Sequence, residues 1–402
     1  MSEAPGLRSI HVRPGHPDFL ELPWHLPLER WAESTSRIVE MPRGLSRHEV
    51  LFLGYGQTIY AFKELGASGA LREFDLLRAL IERRLPAVEP VGHALTRAEP
   101  GDGGDSSVLI TRFLESALPY RTLFMQQGLE RYRDRLLDAI AGLLVRLHLA
   151  GVYWGDCSLS NTLFRRDAGE LQAFLVDAET SEMHESLSEG LRRQDLAIME
   201  ENVAGELADV AAAVELPPGL GVRDTSDQIR ERYDQLWAEI TREVAIQPGE
   251  RFRIHEHIRT LNDLGFSVSE VELIPSADGN HLRMRTIVTD RDYHRHQLHN
   301  LTGIVAGDRQ AALMLNEIRE VRATLASERR QSVPMSVAAF RWQTDRYEPA
   351  MQRLAPLVRS GADPPELYCQ VLEHKWFMSE RAQGDVGLDV AIEDYLARFQ
   401  DD

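Results

Sequence analysis

The stretch Trp154-Gly155-Asp156-Cys157-Ser158-Leu159-Ser160-Asn161 decides how the rest of the chain is read. An Asp followed five residues later by an Asn, directly after a long helical pattern, has the spacing of a phosphoryl-transfer loop. In such a loop the Asp receives the proton of the acceptor hydroxyl and the Asn holds Mg2+. Beyond it, Thr162 to Phe164, a polar turn from Arg165 to Glu170 and the apolar run Leu171 to Val176 predict a hairpin that returns Asp177 beside Asn161. Two oxygen ligands from separate strands suit a hard cation that keeps its other positions for water and phosphate. Asp and Asn also favour turns and caps, so each residue alone says little, and their order carries the argument.

The flanking segments follow a consistent plan. Apolar alternation over Arg37 to Met41, His48 to Leu53 and Thr58 to Leu65 predicts three strands, separated by Pro42 to Ser46 and Gly54 to Gln57. Lys63 lies on the third. Of the 45 basic residues only Lys63 and Lys375 are lysines, and the rest are arginines. A chain that uses Arg wherever charge alone matters keeps an ammonium where size and hydration matter, as on phosphate oxygens. Leu71 to Leu85 has a helical repeat ended by Pro86, with Glu73 in its first turn. Two further strands, Ala87 to Ala94 and Ser107 to Phe113, flank a loop rich in Gly and Asp. Leu129 to Leu149 reads as a core-facing helix that leads into Trp154. In it His148 is expected as a packed, hydrogen-bonded residue, and Cys157 in the loop as a small apolar filler.

Lys63, Asp156, Asn161 and Asp177, in that order, resemble the small lobe and catalytic segment of the protein-kinase-like superfamily. The run from His148 to Leu163 is most similar to bacterial lipopolysaccharide-kinase-like proteins, and the similarity extends over roughly residues 36 to 200. The resemblance implies an α+β bilobal fold, with a small antiparallel β lobe at 36–114 and a mainly α large lobe at 115–245. It implies ATP and Mg2+ as cofactors, with Lys63 and Asp156 catalytic and Asn161 and Asp177 as metal ligands. Glu73 would pair with Lys63, and Arg112, Phe113 and Leu114 would form the hinge that meets adenine through the main chain. The loop over the phosphates would be Pro42 to His48. Ser158 stands where protein kinases usually carry a lysine, and Asp177-Ala178-Glu179 replaces Asp-Phe-Gly. These departures favour a sugar or another small hydroxyl compound as acceptor.

Residues 1–35 read as an irregular lead-in, rich in Pro and Trp without period. Leu191 to Val214 and Ser226 to Val244 read as helices that complete the large lobe. From 246 to 402 a helix over Phe252 to Leu264, a hairpin from Ser267 to Val288 and further helices predict an α-rich domain. Those later helices span about Asp308 to Glu328, Ala338 to Val358, Pro365 to Ala382 and Leu388 to Phe399. Tyr347-Glu348-Pro349 and Leu372 to Arg381 resemble the carboxy-terminal domain of unknown function that follows a kinase-like region in actinobacterial proteins. His294, His296 and His299 are expected in a solvated loop rather than as a metal set.

A net charge of −18 speaks against coating nucleic acid or an anionic membrane. Met1 to Trp24 has no continuous apolar stretch, and the most apolar window, Ala139 to Val145, stops at Arg146, so neither signal peptide nor membrane span is expected. Cys157 and Cys369 make no disulfide framework and fit the cytoplasm. The expectation is a phosphotransferase moving phosphate from ATP to a sugar or other small hydroxyl, with a protein partner considered for the last domain. The rival expectation is a nucleotide-binding regulator or pseudokinase acting through that domain.

Overall fold

In a computed structural model, residues 6–41, 48–97, 105–125, 131–168, 170–213, 221–241, 244–246, 270–275, 282–287, 293–329, 333–359 and 361–398 are described. They form two compact units, Met1–Arg165 with Ala173–Trp237, and Arg166–Gln172 with Ala238–Asp402.

The first unit opens with five antiparallel strands, β1 (Leu7–Val12), β2 (Val50–Tyr55), β3 (Thr58–Gly66), β4 (Pro90–Thr96) and β5 (Ser106–Arg112), in the order β1-β4-β5-β3-β2. The β2–β3 turn needs Gly56, whose φ of 64° suits a residue without a Cβ. Lys63 sits opposite Val50 on one side and Leu109 on the other. The strand predicted at Arg37 to Met41 reduces to a bridge between Ile38 and Leu53. Helix α1 (Gly69–Glu82) buries Glu73 together with Phe74, Leu77 and Leu80. It ends three residues before the predicted Leu85, where Arg84 takes φ 57°.

Residues before 36 are not an irregular lead-in. They supply β1, which pairs with β4, and a short 3-10 helix (Leu28–Glu33). Phe19, Trp24 and Trp31 are buried against Phe62 of β3, with the two indoles edge to face at 5.0 Å. These rings enter the core one at a time, Phe19 and Trp24 from loops and Trp31 from the short 3-10 helix, so they leave no period in the sequence.

The large lobe comprises β6 (Ala117–Pro119), α2 (Tyr120–Met125), α3 (Arg131–Leu149), β7 (Val152–Tyr153), β8 (Thr162–Asp167), β9 (Glu170–Leu175), β10 (Glu182–Met183), α4 (Glu189–Ala213) and α5 (Val222–Thr241). Leu136, Ile140, Leu144 and Leu147 of α3 are buried, as are Leu196, Met199, Val203 and Leu207 of α4. The strands form small sheets, β6-β8-β9 and β7-β10, that carry the loops between them.

In the second unit β11 (Val244–Ile246), β12 (Glu270–Pro275) and β13 (Leu282–Ile287) form an antiparallel sheet with β13 central, which includes the predicted hairpin. The helix predicted at Phe252 to Leu264 lies outside the described residues. Helices α6 (Tyr293–Thr302), α7 (Asp308–Arg329), α8 (Met335–Trp342), α9 (Glu348–Arg359), α10 (Pro364–Ala382) and α11 (Leu388–Arg398) follow. The three histidines lie in α6 rather than in a loop, and His294 Nδ1 is 3.0 Å from an Asp308 oxygen. A π turn (Gln343–Tyr347) joins α8 to α9, just before Pro349, which has no N–H to continue the α pattern. Trp342, Tyr368 and Leu354 centre this core, and Glu317 Oε2 accepts from the Trp342 indole at 2.8 Å and the Tyr368 hydroxyl at 2.7 Å. Lys375 pairs with Asp385 at 3.0 Å.

The tip of the β8–β9 hairpin also belongs to this unit. Asp167 accepts from the main-chain N–H of Gln310 at 2.8 Å and of Arg309 at 3.2 Å, both in the first turn of α7. Buried Glu366 accepts from the Ala168 N–H and from the Gln310 side chain, both at 2.9 Å.

Candidate active site

Three charged side chains meet where β3, α1 and the end of the β8–β9 hairpin converge. Lys63 Nζ donates to Asp177 Oδ2 at 2.6 Å and to Glu73 Oε2 at 3.0 Å. Glu73 in turn accepts the Ala178 N–H at 3.1 Å, so the same carboxylate fixes the lysine and the backbone beside Asp177. Asp177 Oδ1 accepts the Glu179 N–H at 3.0 Å. The Lys63 ammonium is held above its ordinary range. Burial opposes its charge, but the two carboxylates outweigh that cost. Burial pushes the Glu73 carboxyl up to about 7, against the pull of Lys63. A third acid, Glu179, faces His48 Nε2 at 2.9 Å.

The catalytic loop is built next to this cluster. Val176 N–H donates to the Asn161 carbonyl at 3.0 Å, which brings Asn161 beside Asp177. Asn161 Nδ2 donates to the Asp156 carbonyl at 3.1 Å and to Asp156 Oδ2 at 3.0 Å. Both partners are acceptors, so the amide must present its NH2 group to Asp156 and its Oδ1 is left for a cation. Gly155 has φ 80°, and a Cβ there would lie 2.7 Å from the Thr180 carbonyl oxygen, so the residue before Asp156 has to be glycine. Trp154 is fully buried and its indole N–H donates to the Asp177 carbonyl at 3.2 Å.

One face of α4 organises that loop. Buried Asp195 accepts from the N–H of Trp154 at 2.7 Å and of Gly155 at 2.8 Å, from the Cys157 thiol at 3.2 Å and from His148 Nε2 at 3.1 Å. With its Nε2 as the donor, His148 accepts the Tyr233 hydroxyl at Nδ1, 2.7 Å away. Asn202 Nδ2 donates to Asp156 Oδ1 at 3.0 Å and to the Cys157 carbonyl at 3.1 Å. Glu206 accepts the N–H groups of Leu159 at 2.7 Å and Ser160 at 2.8 Å. Burial drives the Cys157 thiol well above its ordinary range, which keeps it a protonated donor to Asp195.

The structure therefore brings together Lys63, Glu73, Asp156, Asn161 and Asp177 from the predicted set. Of the predicted hinge, Arg112 pairs with Glu89 at 3.7 Å and gives its N–H to the Glu89 carbonyl. Phe113 gives its N–H to the Ile59 carbonyl, and the Leu114 carbonyl accepts the Ala117 N–H at 3.4 Å. The N–H groups of Arg112 and Phe113 are thus already used within the lobe. Of the predicted phosphate loop, residues 42–47 lie outside the described residues. Asp195, Asn202 and Glu206 were not foreseen. Their only trace in the sequence is a spacing of seven and four residues, which puts them on one side of a helix.

For Mg2+ the donor set fits, since one amide oxygen and one carboxylate suit an ion that keeps several waters and takes the rest from phosphate. No cluster of three or more His, Cys, Asp or Glu side chains stands ready to hold a metal among the described residues.

The constellation of Lys63, Glu73, Asp156, Asn161 and Asp177 resembles the catalytic centre of protein-kinase-like phosphotransferases. Residues 56–215 match the lipopolysaccharide kinase (Kdo/WaaP) family, and residues 235–399 match a domain of unknown function, DUF4032. No curated protein sequence matches the chain. Among solved structures, WaaP in complex with acyl carrier protein aligns at 16% identity and a TM-score of 0.38, covering 64% of this chain and 99% of that one. An aminoglycoside-3'-phosphotransferase of type VIII aligns at 17% identity and 0.36, covering 56% and 93%. No helix among the described residues is long and apolar enough to cross a membrane.

Proposed function

We propose that this protein transfers the γ-phosphoryl group of ATP, with Mg2+, to a hydroxyl of a sugar or another small molecule. The observation that carries the reading is the meeting of Lys63 with Asp177 at 2.6 Å, beside an Asn161 whose amide is pinned to Asp156. Mg-ATP, when bound, supplies the phosphoryl group and a divalent charge that offsets its oxygens. Lys63 neutralises phosphate oxygens as a point charge, with Glu73 fixing its reach. Asn161 Oδ1 and Asp177 hold the metal. Asp156 accepts the acceptor's proton as the acceptor oxygen bonds to phosphorus and the bond to the β–γ bridging oxygen breaks, leaving ADP with the electron pair. The hinge around Leu114 takes the base.

A small acceptor is supported by Ser158, whose hydroxyl lies 3.2 Å from Ser160 Oγ and accepts the Asn161 N–H, so the loop itself offers no cation to a protein substrate. A cytoplasmic location goes with the use of ATP and with two free, buried cysteines. Residues 246–402 remain the region through which a protein partner would act.

Thermal shift with Mg-ATP tests the binding half. Wild type is expected to gain several degrees and Lys63→Ala little, since a ligand that binds only the folded state raises its melting point. Transfer of labelled phosphate to a panel of sugars and small alcohols tests the chemistry, with Asp156→Asn expected to lose turnover about a hundredfold or more while still binding nucleotide. Binding without any Asp156-dependent transfer would replace the enzyme by a nucleotide-responsive regulator.

A further inference from the structure

Three polar side chains of α4 touch the catalytic loop, and only one reaches the reactive carboxylate. Asp195 and Glu206 accept N–H groups of the loop's main chain, whereas Asn202 donates to Asp156 Oδ1 at 3.0 Å. Its second partner, the Cys157 carbonyl at 3.1 Å, is also an acceptor, which fixes the amide with its NH2 group towards the loop. Asn161 holds the other oxygen, Oδ2, in the same manner. Each oxygen of Asp156 is therefore held by one amide, and neither donor carries a charge. The Ser158 hydroxyl of the loop is turned to Ser160 and to the Asn161 N–H.

We propose that Asn202 is a positioning residue for Asp156. The proposal rests on the phosphotransferase reading. Two amides from different elements, the loop and α4, fix the carboxylate plane, and one lone pair on each oxygen stays open to an acceptor hydroxyl. A neutral donor orients the group without the charge pairing that a Lys or Arg would impose, so its ability to take a proton is preserved. The two acids on the same face of the helix, Asp195 and Glu206, are both occupied by donors of the loop.

The experiment is hydrolysis of Mg-ATP, with water as the acceptor, by the whole chain. Wild type, Asp156→Asn, Asn202→Ala and Asn202→Asp are compared, with a melting curve for each. Asn202→Ala should lower kcat by about 10- to 100-fold, as expected for loss of a hydrogen bond to a charged group, with KM for ATP within about twofold of wild type. Asn202→Asp keeps the shape but brings a second carboxylate to roughly 3 Å from Asp156. Its carboxylate cannot donate to Asp156, so kcat should fall at least as far as in Asn202→Ala although the side chain keeps its size. A kcat that is unchanged in Asn202→Ala, or a loss in both variants that tracks melting or comes with an equal rise in KM for ATP, overturns the inference while the kinase reading stands. Equal hydrolysis by wild type and Asp156→Asn overturns both.

Discussion

Lys63 is the residue on which the site turns, because it is shared by an acid that never leaves the protein interior and an acid that faces the reaction. Glu73 is 1% exposed and its carboxyl is pushed up from 4.5 to about 7, chiefly by burial. Between those two values the unfolded chain has released this proton and the folded chain still holds it. Stability from this group therefore falls as pH rises from about 4.5 to about 7, and is flat above. Urea titrations at pH 5, 6, 7 and 8 should show that slope in wild type, and Glu73→Gln should remove it. Lys63 itself was legible because a lysine is rare in this chain, and Glu73 because it lies early in the helix after the lysine strand, one turn in from Gly69. The role of Glu73 in holding the Ala178 N–H was not legible, since it depends on a main-chain group over a hundred positions away.

At the scale of elements, α4 does for the catalytic loop what a sheet does for its strands, satisfying the main-chain N–H groups that the loop's own turns leave over. Asp195 is the anchor, with four donors on two oxygens and no exposed surface. Asp195→Ala would strand the N–H groups of Trp154 and Gly155 in the interior at about 1–3 kcal/mol each. The urea midpoint should drop accordingly, and phosphoryl transfer should be lost even where the variant remains folded. The loop was legible from Asp156, Asn161 and Asp177 because turn chemistry and order lie close together in sequence. Its support was not, because Asp195, Asn202 and Glu206 look like the polar side of any amphipathic helix until the loop is seen against them. The same difference explains the first 35 residues. Trp24 and Trp31 obey no period, and only their burial against Phe62 reveals them as core.

For the whole molecule, the notable fact is where the chain changes unit. The hairpin that begins at Thr162 and ends before Asp177 has its tip, residues 166–172, counted with the second unit. There Glu366 and Gln310 supply the partners for Arg166, Asp167 and Ala168. Glu366→Ala leaves the Ala168 N–H and the Gln310 amide buried without this acceptor, at a cost of about 2–5 kcal/mol. Hydrogen exchange at 166–172 should quicken, and no such change is expected for an exposed control such as Glu380→Ala. Sequence patterns found the helices of this region because their periods are regular, and missed the α8–α9 π turn because it rests on one proline. A chain that passes from one unit to the other and back cannot be divided by a single truncation. A fragment stopping at residue 245 would keep the hairpin and forfeit the side chains that seat its tip. Recombination that exchanged only the carboxy-terminal half would meet the same obstacle, parting the tip from Gln310 and Glu366.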